Sequence, residues 1–181
     1  MSRKRTKRAA RADAMTLWDL LLPRPRARRQ PTPPPKPVPP RNRPIRARYD
    51  RMTRDMLARY GVRVRRWRTS MSGVAWTVTY RDGSVSRLIE APRPRGPMSA
   101  AIFLHEIGHH AIGVGAVKPR CLEEYRAWAF ALETLEAEGF NVTDAVRRRM
   151  RDALRYAVAK AKRRGLKHLP PELEPFVPAP R

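Results

Sequence analysis

Acidic residues, cysteine, histidine and long apolar runs are all scarce in this chain. Sixteen Asp and Glu stand against 40 Lys and Arg, a formal net charge of +24 over 181 residues. Such a field favours polyanions or acidic partners, so nucleic acid held by the basic surface is one expected partner. Yet 33 of the 40 cations are Arg, and Ala and Pro are abundant too. A GC-rich coding sequence produces that skew whatever the function. The single cysteine, Cys121, excludes an internal disulfide framework and a zinc ribbon. It fits a reducing compartment and a small buried apolar role. No apolar run reaches the roughly eighteen residues a membrane span requires. Residues 17–22 follow a basic start, but they are too few, and Asp19 interrupts them, for a signal peptide. A cytoplasmic protein without a membrane segment is the expectation.

Of the four histidines, His105, His109 and His110 fall within six residues. His105, Glu106 and His109 form the pattern H-E-x-x-H. On a helix, positions i and i+4 share one face, so both imidazoles can serve one metal ion while Glu106 reaches a water beside it. The setting is helical: Pro97 suits a first turn, Ser99 can cap, and Gly113 and Gly115 mark the stop. His110 is rotated off the ligand face. The plain alternative is a solvated or core His pair on an ordinary helix. A third donor is nevertheless at hand on the strong helix former 121–132. Glu124, Ala127 and Ala131 share one of its faces, and small residues there, with Gly108 opposite, would let the two helices approach closely. Glu123, about 100° round the helix, is the competing ligand. Two His and one carboxylate leave a fourth position open, as in catalytic rather than structural zinc sites.

The pattern His105-Glu106-Ile107-Gly108-His109 followed by Glu124-x-x-Ala127-x-x-Phe130-Ala131 resembles the ImmA/IrrE family of zinc metallopeptidases, over roughly residues 45–140. Trp128 stands where that family usually has Asn or Asp. The resemblance implies a zincin-like α+β domain, Glu124 as third zinc ligand, and a protein substrate such as a regulator. Glu106 would be the catalytic base, taking a proton from water and passing it to the leaving amine. His110, Tyr80, Tyr125 and His168 are candidate partners for the oxyanion, and the spacing selects none of them.

In chain order, residues 1–44 read as a disordered basic and Pro-rich tail, with ten of the nineteen prolines after residue 22 forming a stiff spacer. Residues 12–22 could form a short docking helix, or only a transient one. The domain is expected over 45–168 and a second tail over 169–181. It should hold about four helices and a small antiparallel sheet of about three strands. Ile45, Tyr49, Met52, Met56 and Leu57 stripe the first helix. Val62-Arg63-Val64 opens a strand, residues 74–80 alternate as a second, and Asp82-Gly83 predicts a two-residue hairpin into residues 85–90. In the zincin-like folds that the resemblance implies, an edge strand beside the site takes extended peptide. Gly139 predicts a helix stop with Phe140 against Leu135. Asn141 or Thr143 caps a last helix whose expected core stripe is Val146, Met150, Ala153, Ala157 and Ala161. Its other faces are densely basic.

Three functions follow. The first is a zinc-dependent endopeptidase using Glu106 with His105, His109 and Glu124. The second is a nucleic-acid-binding protein using the Arg-rich tail and last helix. The third is an inactive metallopeptidase-like scaffold.

Overall fold

The structure is a computed structural model and describes residues 43–177. Residues 1–42 of the expected 1–44 tail, with its short helix at 12–22, lie outside the described residues. Arg43 and Pro44 belong to the first helix, so the domain starts slightly before residue 45. The order is α1 Arg43–Tyr60, β1 Val62–Arg68, β2 Val74–Thr79, β3 Val85–Pro92, α2 Pro97–Ile112, α3 Arg120–Ala137 and α4 Asp144–Arg163, then a 3-10 turn at Pro171–Phe176. The α+β class, the three strands and the four helices are as the sequence predicts.

The sheet corrects one expectation. Its order is β1-β3-β2, with β3 antiparallel to β2 but parallel to β1. The chain runs up, down and up as a meander would, but β3 inserts between its two predecessors. The five residues joining β1 to β2 must therefore pass the end of β3, and this carries Gly73 over helix α2. The hairpin loop is also longer than predicted. Tyr80 and Ser84 pair around Arg81-Asp82-Gly83, and the Asp82 carboxylate accepts from the Ser84 amide and hydroxyl. Gly83 takes φ +81, the left-handed residue that a three-residue loop needs.

Helix α2 is the centre. Its twelve residues from Ser99 to His110 are all buried, as expected of a helix apolar nearly all round. It is enclosed by α3, β3, α1 and β2. Pro97 occupies the first turn as predicted, with Gly96 as the cap residue. Ser99 acts from inside the helix, its hydroxyl accepting from the Arg95 and Gly96 amides. Helix α3 stops as read: the Phe140 amide donates to Leu135 O and the Gly139 amide to Glu136 O, with φ +68 at Gly139. Phe140 then stacks on Tyr49 of α1 at 4.4 Å, and Arg48 donates to the Glu138 and Gly139 carbonyls.

Thr143 caps α4, accepting from the Val146 amide. Of the predicted stripe on α4, Val146 is fully buried and Met150, Ala153, Ala157 and Ala161 are partly buried against the core, while the other fully buried residues, Leu154 and Val158, lie outside it. Ala153, Ala157 and Ala161 also line a groove. The tail over 169–181 needs a similar correction: Leu173 is fully buried with Cys121, Leu122 and Val158, so the packed domain reaches at least Phe176. Residues 178–181 are outside the described residues.

Candidate metal centre

His105 and His109 stand one turn apart on α2, and α3 crosses them at Gly108. A Cβ on Gly108 would lie 2.8 Å from Ala127 O and 3.1 Å from Ala127 Cα. Only glycine permits that approach, which seats Glu124, three residues before Ala127, beside both imidazoles. His105 Nε2 lies 3.3 Å and His109 Nε2 3.7 Å from Glu124 Oε2, and the two Nε2 atoms are 3.3 Å apart. These three atoms form a group that could hold a metal ion. Donors bonded at 2.0–2.1 Å around a tetrahedral ion sit about 3.3–3.4 Å from one another. The donor set and its spacing therefore fit such an ion.

Glu123 has a different task. It is fully buried, and its Oε1 lies 2.9 Å from His109 Nδ1. A carboxylate only accepts, so Nδ1 carries a proton, leaving Nε2 as the nitrogen whose lone pair could meet an ion. The Gly115 amide and Arg120 also donate to Glu123. The Arg120 guanidinium extends to Glu124 Oε1 at 3.1 Å, tying the two acids together. Sequence reasoning missed Arg120, although its i, i+3 and i, i+4 offsets to both acids were available as a signal. His105 has no equivalent support. Its Nδ1 is buried without a partner among the described residues, and its ring lies against Trp128 at 4.6 Å.

The electrostatics divide the acids. Burial would raise the Glu124 carboxyl, but hydrogen bonds from His105 and His109 hold it well below the usual carboxylate range. Burial dominates for Glu106 and pushes it up to about 7, where a carboxylate can both take and return a proton near neutrality. Gly73 presses on this carboxyl: a Cβ there would lie 2.7 Å from Glu106 Cδ. Burial lowers His105. Burial would lower His109 as well, but Glu124 and Glu106 outweigh it and leave His109 raised.

None of the four oxyanion candidates lines the groove beside the triad. His110 Nε2 is turned to Leu88 O at 3.1 Å. Tyr125 packs near Phe176, and Tyr80 and His168 are exposed. The groove, about 820 Å³, instead holds Tyr156, Arg120 and the inward face of α4. No helix among the described residues is long and apolar enough to cross a membrane. No family model matches this chain, nor does any curated protein or solved structure.

Proposed function

We propose that this chain is a zinc-dependent metallopeptidase of the kind its H-E-x-x-H and E-x-x-A patterns resemble, hydrolysing a protein substrate. The observation that carries the reading is the meeting of His105, His109 and Glu124 at tetrahedral spacing, with the buried Glu106 carboxyl lining the same groove. Zn²⁺ held by these three residues would supply Lewis acidity and an acidified water at an open fourth position. The chain's own residues do the rest. Glu123 fixes the His109 ring and its tautomer. Arg120 holds both carboxylates in place. Glu106 accepts a proton from water and delivers it to the departing amine. The loop at Gly73 packs against Glu106 and limits where its carboxyl can lie.

The test is metal content and proteolysis together. The purified chain should bind about one zinc, and His109→Ala should lose it. Glu106→Gln should retain the metal and lose peptide hydrolysis. A wild type that takes up no zinc would sink the reading and favour nucleic-acid binding through the basic face of α4.

A further inference from the structure

The groove that contains Glu106 and Glu124 has α4 as its outer wall. Arg149, Asp152, Ala153, Tyr156, Ala157 and Lys160 all face it. Their offsets are those of a single helical face. Arg164, just past the helix end, lines it too. The small Ala153 and Ala157 form a low floor between cationic ends, close enough for an extended backbone to lie against. Beyond the candidate centre with its Glu106 and Glu124, three cations face one acid, Asp152. The other groove cation, Arg120, is occupied by Glu123 and Glu124. Arg149, Lys160 and Arg164 have no acidic partner within ion-pair distance among the described residues, whereas Arg147, on another face of α4, pairs with Glu136. Uncompensated cations gathered along a groove favour an anionic occupant. Asp152 interrupts them, which suits separated carboxylates better than the evenly charged backbone of a nucleic acid.

We propose that the groove selects an acidic segment of its protein substrate, whose carboxylates meet Arg149 at one end and Lys160 with Arg164 at the other. This rests on the peptidase reading of the site. Arg149 and Lys160 are eleven positions apart, roughly 16 Å along the helix. An extended chain covers that distance in about five residues. Alternate side chains of an extended chain face opposite ways, so the preferred segment carries its two acids six positions apart, the even spacing that reaches past Lys160 toward Arg164.

Binding to the full-length Glu106→Gln chain tests this by fluorescence anisotropy. The probe is a labelled ten-residue peptide with Glu at two positions six apart, compared with the same peptide carrying Gln there. Two backgrounds are compared, Arg149→Glu/Lys160→Glu/Arg164→Glu in the groove and Arg148→Glu/Arg151→Glu/Arg155→Glu outside it, with circular dichroism checking that both fold. Every arm keeps the same Arg-rich N-terminus, so its attraction cancels. The acidic peptide should bind about tenfold more tightly than its Gln counterpart, and the groove triple alone should abolish the difference. Equal losses in the two triples would overturn the proposal, leaving only general surface charge. A single-stranded oligonucleotide that outcompetes the acidic peptide, and loses its hold in the groove triple alone, would also overturn it. Groove-dependent peptide binding by a zinc-loaded wild type that cleaves nothing would support the proposal while sinking the peptidase reading. Cleavage indifferent to acidic residues would sink the proposal alone.

Discussion

Replacing Gly108 by alanine tests the contact on which the metal group depends. The added Cβ would lie 2.8 Å from Ala127 O and 3.1 Å from Ala127 Cα, the first roughly 0.6 Å inside the 3.4 Å at which ordinary contact begins. Both atoms are backbone, so no rotamer change relieves them and α3 must move away from α2. Overpacking of this kind costs about 1–3 kcal/mol. Alanine in a helix interior is ordinarily about 0.5–1 kcal/mol better than glycine, which offsets part of that cost. The net loss should be about 0.5–2 kcal/mol, a fall in Tm of about 2–8 °C for a domain of this size. Thermal melting followed by circular dichroism, with chelator present, reads this without any metal contribution. Moving α3 by about half an ångström also opens the triad, so metal affinity should fall in the same variant. Gly108→Ala melting at or above the wild type would mean that helix propensity wins and the close approach is not there.

Other perturbations separate the residues around the triad. Glu124→Ala should abolish metal binding measured by chelator competition. Glu123→Ala should weaken it by about 10–100-fold, because Glu123 only orients His109. The reverse order would make Glu123 the ligand. Gly73→Ala should lower kcat while leaving metal content intact, since its Cβ would displace the Glu106 carboxyl; an unchanged kcat would show that the loop yields freely. Glu90 faces Arg65, Arg66 and Arg68 of β1 at 3.1–3.2 Å. Burial raises its carboxyl, but Arg68 and Arg66 outweigh this and leave it lowered. A lowered folded value contributes stability that is present above the unfolded value of 4.5 and is lost as pH falls through the folded one. The wild type should therefore lose more Tm than Glu90→Gln between about pH 5 and pH 3; parallel losses would remove Glu90 from the acid response.

What the sequence could and could not show follows from how local each signal is. His105 and His109 were legible because an i, i+4 spacing fixes a face without knowledge of anything else. The same holds for Gly139 with Phe140, whose stop needs only six residues, and for the alternation of β2. Sheet order was not legible, because alternation identifies a strand but not its neighbour, and the parallel β1–β3 pairing depends on where β3 inserts. The alanines of α4 were legible as a packed face but not as groove lining, because alanine suits both equally, and here they are partly buried against the core and line the groove as well. Leu173 looked like tail because its partners, Cys121, Leu122 and Val158, lie far away in sequence. The sharpest case is the adjacent pair Glu123 and Glu124. Helix geometry puts them about 100° apart and cannot say which one meets the histidines. The choice lies in what a fully buried carboxylate requires, several donors at once. Glu123 finds them in His109 Nδ1, the Gly115 amide and Arg120, and so is held behind the ring. Glu124, about a quarter exposed in its side chain, is left to face both Nε2 atoms and the groove. One helix turn thus supplies both a carboxylate that could bind a metal ion and the support of an imidazole that could, and each position is fixed by the partners of the other.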